Sequence, residues 1–223
     1  MPQHSTLEKF SMDFFSLKNQ CAIVTDGNHG LGRTFALALA QAGANIFVPT
    51  QFDDRDHTAE LVTKEKVQYQ DMQIDLNAPY AARQVADACI DHYGRIDILI
   101  NCGTLSQDHT TEFNRERWHH TLSKHMGNAF ELSHEVTRYM IPQRSGKIIN
   151  ICSTPQELHN RNCPALAATR HGLAGFTQAY CKELAPYNIQ VNCVLQNHDN
   201  QSSDNNAESD ITEKKILVKF SDL

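Results

Sequence analysis

Residues 21–43 read Cys21-Ala22-Ile23-Val24-Thr25-Asp26-Gly27-Asn28-His29-Gly30-Leu31-Gly32-Arg33-Thr34-Phe35-Ala36-Leu37-Ala38-Leu39-Ala40-Gln41-Ala42-Gly43, and their reading decides the fold. Cys21–Thr25 is a short apolar, β-prone run. Asp26–Gly30 is rich in turn formers, and Leu31–Ala42 is a helix dominated by Ala and Leu that closes at Gly43, a C-cap signal. Strand, glycine turn and helix in that order place a phosphate at a helix N-terminus. Backbone N–H groups and the helix dipole stabilise the negative charge there, and glycines let a pyrophosphate approach. Gly30 and Gly32 have the required G-x-G spacing. Taken alone the turn decides nothing about ligands, because α/β proteins that bind nothing also contain it.

Outward from this turn the chain alternates strand-like and helix-like stretches. Asn45–Pro49, Tyr69–Ile74, Ile96–Ile100, Lys147–Ile151 and Ile189–Val194 read as strands. A polar helix runs to about Lys66, and Ala81–Tyr93, Phe113–Met140 and Ala165–Leu184 read as the later helices. Ile96–Ile100 is wholly apolar, as a strand covered on both faces must be. The alternation predicts a Rossmann-type α/β domain, a doubly wound parallel sheet of about six strands, over residues 1–196. Residues 197–223 form a tail. Asn197–Asp210 has one alanine and no large apolar residue, so it cannot bury enough surface to offset its ordering and is expected to be disordered. The apolar end, Ile216-Leu217-Val218, fits either a strand or a short helix.

Composition narrows the function classes. A net charge of -6 with no basic block argues against nucleic acid as a partner. No apolar run is long enough to span a bilayer, and Met1–Phe15 has no signal-peptide pattern, so a cytoplasmic chain with no membrane partner is expected. The seven cysteines include no C-x-x-C pair and read as reduced, buried thiols. His119, His120 and His125 lack the i, i+4 spacing that sets two ligands on one helix face, so no metal site is expected.

Several stretches together carry a family resemblance. Thr25-Asp26-Gly27-Asn28-His29-Gly30-Leu31-Gly32 resembles the T-G-x-x-x-G-x-G signature of the short-chain dehydrogenase/reductases. Gly94-Arg95-Ile96-Asp97-Ile98-Leu99-Ile100-Asn101 is similar to the stretch that leads into the family's N-N-A-G motif. Lys147–Ser153 resembles the strand that carries the catalytic serine, and Asn188–Asn192 resembles the sixth strand. Phe14-Phe15-Ser16-Leu17 and the helix Gly172–Leu184 are similar to the branch containing 2-deoxygluconate and gluconate dehydrogenases. The resemblance implies NAD or NADP as cofactor, held by Thr25, Asn28, Gly30, Leu31, Gly32, Asp75, Leu76, Asn101 and Arg170. It also implies a small-molecule substrate, and a homo-oligomer paired through the helices Phe113–Met140 and Ala165–Leu184.

The same resemblance marks departures at the chemistry. The family transfers a proton through a tyrosine assisted by a lysine, with a serine that orients the carbonyl and an asparagine that supports a water. Only Ser153 is retained: Leu166 stands at the tyrosine position, Arg170 at the lysine and His125 at the asparagine. Asp26 replaces the first glycine of the signature and sets a carboxylate where a pyrophosphate would lie, although Asp tolerates left-handed backbone and can keep the turn. Cys102-Gly103-Thr104 replaces N-A-G, Gln196-Asn197 replaces Pro-Gly, and Thr50 gives no NAD preference. The family's seventh strand is expected to be missing.

Three readings follow from these departures. The first is a catalytically impaired or inactive homologue, a pseudoenzyme whose dinucleotide binding is weakened or lost. The second is an active NAD(P)-dependent oxidoreductase on a sugar-acid-like alcohol or ketone, using Ser153 with His125 or water. The third is a non-enzymatic interaction scaffold.

Overall fold

The computed structural model describes residues 15–102, 114–153, 164–196 and 216–217. Strands β1 (Cys21–Val24), β2 (Asn45–Thr50), β3 (Tyr69–Gln73), β4 (Ile98–Asn101), β5 (Gly146–Ser153) and β6 (Ile189–Gln196) pair in parallel. The helices between them are α1 (Gly30–Gln41), α2 (Thr58–Lys64), α3 (Ala81–Tyr93), α4 (Arg115–Leu122), α5 (Asn128–Gln143) and α6 (Pro164–Leu184). The spatial order β3-β2-β1-β4-β5-β6 turns back between β1 and β4, as a doubly wound sheet does. A two-residue strand β7 (Ile216–Leu217) pairs antiparallel with Leu195 and Gln196. The apolar end of the tail, which fitted either a strand or a short helix, thus adds a two-residue antiparallel strand to the six parallel ones. The rest of the tail and Gly103-Thr104 lie outside the described residues.

Each face of the sheet buries its own apolar layer. Ala22, Val24, Ile46, Val48, Ile98 and Ile100 pack with Ala36 and Ala40 of α1 and Val62 of α2. The alternate strand positions, including Ile23, Phe47, Leu99, Ile148 and Val191, meet α3, α5 and α6 through Val85, Leu132, Val136, Met140 and Leu184. Successive strand residues point to opposite faces, so a strand covered on both must be apolar throughout, and β1 and β4 are buried at every position. α3 ends at Gly94, whose φ of +74° supplies the left-handed cap.

Two boundaries differ from the sequence pattern for physical reasons. β4 begins at Ile98 and not Ile96, because Asp97 uses its side chain at the strand entrance. Its carboxylate accepts from the Cys21 backbone N–H at 2.9 Å and from the Arg95 guanidinium through two contacts of 2.7 Å. Its own backbone N–H and carbonyl join Cys21 and Lys147, so one buried residue ties the starts of β1, β4 and β5. The helix expected over Phe113–Met140 is interrupted by a π turn at Ser123–Gly127 that separates α4 from α5. Turns of this kind cluster at functional sites.

No helix among the described residues is long and apolar enough to cross a membrane, and no group of three or more His, Cys, Asp or Glu there is placed to hold a metal ion. The Asp97 knot yields a stability prediction. Asp97→Ala leaves the buried Cys21 N–H without its acceptor and Arg95 without its partner, and we expect a loss of about 3 kcal/mol in urea unfolding. A loss under about 1 kcal/mol would show that the three strand entrances are held independently.

Candidate functional site

A cleft of about 320 Å³ opens at the carboxyl ends of the strands, beside the point where the strand order reverses between β1 and β4. Open parallel sheets bind ligands at this place, because two neighbouring connections leave in opposite directions and part. The turn after β1 forms one wall. Asp26 adopts φ +53°, the left-handed backbone its short side chain tolerates, so the turn persists without the glycine. Gly30 has φ +51°, and a Cβ there would meet nothing within 4 Å. Gly32 is the opposite case, since a Cβ there would collide with the Asp26 carbonyl, so its role is close packing of α1 on the turn. His29, the N-cap of α1, gives no side-chain cap, and the first turn has no acidic residue. Its backbone N–H groups and the dipole are thereby available to an anion.

These features fit the diphosphate of a dinucleotide in shape. Asp26 is the only carboxylate among the described cleft-lining residues, against the cations Lys124 and Arg170. The sequence-predicted cofactor residues divide accordingly. Thr25, Gly30, Leu31, Gly32, Leu76, Asn101 and Arg170 line the cleft. Asn28 does not: it is buried and staples the turn to the chain after β2. Its Nδ2 donates to the Phe52 carbonyl at 2.6 Å, and its Oδ1 accepts from the Thr50 hydroxyl at 3.0 Å. Asp75 also stands outside the lining. Its carboxylate accepts from the Asn77 backbone N–H, which holds it below the usual carboxylate range, and from the Gln51 side chain. Neither residue is among those lining the cleft, and both spend hydrogen bonds on neighbouring loop residues.

The floor of the cleft is a buried amide chain. Asn101 Nδ2 donates to Asn150 Oδ1 at 2.8 Å and Ser133 Oγ at 3.1 Å, and Asn150 Nδ2 donates to Thr177 Oγ1 at 2.9 Å. This chain spans β4, β5, α5 and α6. It fixes the cleft floor and uses the Asn101 amide internally, so Asn101 is a positioning residue. Thr25 closes the other side by accepting from the Cys102 backbone N–H at 2.8 Å.

At the substrate end the structure brings His125, Leu166 and Arg170 together around the cleft, with Ser153 at the end of β5. Leu166 is buried in the α6 wall, 6% exposed, among Ala129, Cys152 and Leu173 as fellow lining residues. His125 sits on the π turn. Burial, then the charges of Lys124 and Arg170, lower its pKa from 6.5 to about 4, so the ring is neutral near pH 7. Neutral imidazole donates a hydrogen bond but is a poor source of protons. The sequence missed Lys124, Asn128 and Cys152 as lining residues. The π turn brings the first two to the cleft, and no side-chain period announces it.

A family model described as short chain dehydrogenase matches residues 20–198. An uncharacterized oxidoreductase, YgcW, of Escherichia coli (strain K12) is 49% identical over 190 residues, 85% of this chain and 73% of that protein. A 2-dehydro-3-deoxy-D-gluconate 5-dehydrogenase of Bacillus subtilis (strain 168) is 33% identical over 183 residues, 82% of this chain and 72% of that protein. Among solved structures, an acetoin dehydrogenase from Enterobacter cloacae superposes with a TM-score of 0.73 at 29% identity, covering 80% of this chain and 72% of that one. Glycine turn, switch-point cleft and matched length agree, and the chain belongs to the short-chain dehydrogenase family.

Proposed function

We propose that this protein is an NAD(P)-dependent oxidoreductase acting on a sugar-acid-like alcohol or ketone, in the cytoplasm, within a domain spanning residues 1–196. The observation that carries the reading is the open backbone at Gly30 above the uncapped start of α1, inside a cleft at the switch point. The substrate class rests on the relatives named for gluconate-type compounds. A bound nicotinamide dinucleotide would supply or accept the hydride.

The chain's own residues then have defined tasks. Gly30, Leu31 and Gly32 hold the diphosphate by backbone N–H groups, and Arg170, permanently charged, takes the ribose hydroxyls in place of lysine. Ser153 orients the substrate oxygen. Leu166 has no proton to give, and neutral His125 only donates a hydrogen bond, so the proton comes from water. General acid–base help contributes roughly 10²–10⁴ in rate, and turnover is expected to be lower by about that factor than with a tyrosine in place. Phe130 on α5, 49% exposed and in ring contact with Phe176 of α6, supports a homo-oligomer paired through these helices.

One observation favours a second reading, a catalytically silent dinucleotide binder: the tyrosine position is filled by a buried leucine. Titration with NADH and NADPH, followed by assay with 5-ketogluconate and 2-dehydro-3-deoxygluconate, tests both. The first reading expects saturable binding and slow turnover above background, and is abandoned if binding occurs with no turnover. Absence of binding overturns both. Leu166→Tyr combined with Arg170→Lys should raise kcat about 100-fold if the proton step alone is deficient. Unchanged kcat with intact NADH binding would favour the silent reading.

His125 gives a pH prediction. The folded state favours the neutral ring, so the unfolded chain binds the proton first as pH falls through 6.5. Stability therefore declines from about pH 6.5 to about pH 4 and levels below, by up to about 3 kcal/mol. His125→Gln should lack this component in urea unfolding at pH 7, 5.5 and 4.5. Parallel pH curves for the two proteins would show that the ring titrates at its ordinary value.

A further inference from the structure

β5 and β6 bring two thiols into contact behind the substrate end of the cleft. Cys152 Sγ and Cys193 Sγ lie 2.9 Å apart. Cys152 is 3% exposed, lines the cleft and precedes Ser153 in the chain, while Cys193 is half-buried. Both pack in the small apolar cluster of Ala129 and Leu173. We propose that Cys152 and Cys193 are an oxidation site for hydroperoxides, whose disulfide product weakens ligand binding in the cleft. The second half of this inference rests on the dinucleotide reading, and the first does not.

The pair is asymmetric in the way two-step thiol oxidation needs. The two thiols share one hydrogen bond, and that contact draws the pKa of Cys193 down while it and burial push Cys152 up. Cys193 is also the more exposed residue of the two, so it is the one a hydroperoxide reaches, and it attacks in its thiolate form, the nucleophilic one. It attacks one oxygen of the hydroperoxide, the O–O bond breaks, and the alkoxide leaves as alcohol after taking a proton. Cys193 becomes a sulfenic acid. The Cys152 sulfur then displaces the hydroxyl, forming the S–S bond and breaking S–O, and the Cys152 proton leaves with the hydroxide as water. In total two thiols lose two electrons, and the hydroperoxide is reduced to an alcohol and water.

Strand register explains why this bond would disturb the cleft. Cys193 pairs with Asn150, and Cys152 pairs with Leu195, so the two cysteines are diagonal neighbours. Their sulfurs stand 2.9 Å apart, against the roughly 2.05 Å of a disulfide bond. Bond formation must close the sulfurs by on the order of 1 Å, at the residue before Ser153. A disulfide is opened again by thiol exchange, which makes the modification reversible. The protein contains its own control. Cys21 and Cys89 also face each other, at 3.4 Å, but are 1% and 0% exposed in the core and line no cleft.

The full chain is treated with hydrogen peroxide and, separately, tert-butyl hydroperoxide near neutral pH, then alkylated and peptide-mapped. NADH is titrated before treatment, after it, and after dithiothreitol. A Cys152–Cys193 cross-linked peptide is expected, with Cys21 and Cys89 still alkylatable after unfolding. NADH affinity should fall at least fivefold and recover on reduction, and Cys193→Ala should form no cross-link and keep its NADH affinity under peroxide. The oxidation site is overturned by Cys193 remaining alkylatable, by sulfenic acid without the cross-link, or by equal bridging of Cys21 and Cys89. Unchanged NADH affinity in the cross-linked protein overturns the link to the cleft. If the reduced protein binds no NADH, the dinucleotide reading and that link both fail, while the peptide map still decides the oxidation site.

Discussion

The Asp26 carbonyl stands so close to Gly32 that any side chain there would have to displace backbone. That approach seats the first turn of α1 directly above the end of β1 and aims its N–H groups at the cleft. Most other site features are arranged around it. Asn28 ties the same turn to Phe52 and Thr50, and Thr25 joins it to Cys102 after β4. Gly27 is similarly confined, since a Cβ there would lie 2.9 Å from Val48 Cγ2. Asp26 could replace a glycine only because its position demanded a left-handed backbone and left room for a side chain. Gly27 and Gly32 have no such room.

The two ends of the cleft consequently obey different constraints. At the diphosphate end the binding groups are backbone N–H groups, so side-chain changes such as Asp26 alter the local field without removing a donor. At the substrate end the chemistry depends on side chains, and there Leu166, Arg170 and His125 change what can be done. Leucine fits the apolar wall of α6, and the neutral ring of His125 suits a site already holding Lys124 and Arg170, where a further positive charge would be opposed. The residues at this end are mutually compatible as packing and electrostatics, which is why the cleft keeps its form.

What the sequence made legible follows from how locally each feature is determined. β1, α1 and α3 could be read almost to their ends because apolar period, Gly43 and Gly94 are all local signals. Leu166 and Arg170 were found by counting from Ser153, and the structure sets both in the cleft. The entrance of β4 was misjudged because Asp97 interrupts an apolar run with a carboxylate whose partners, Cys21 and Arg95, come from two directions. The π turn was invisible since one extra residue in a helix leaves the composition unchanged. Asn28 and Asp75 matched a motif, and a motif cannot say whether a side chain faces the ligand or the neighbouring loop.

The thiol pair shows the same limit at longer range. Cys152 and Cys193 are separated by 41 residues, and each alone looks like an ordinary buried cysteine in a strand. Only register across β5 and β6 makes them neighbours, and only the reversal of strand order at β1 and β4 places that neighbourhood beside the cleft. Stability is least uniform where strands run out into connections, as they do at the carboxyl edge of this sheet. Ligand cleft, Ser153 and thiol pair share that edge. A bond costing little structure elsewhere can therefore act on the site, and a ligand seated in the cleft should in turn resist the closure of the bond.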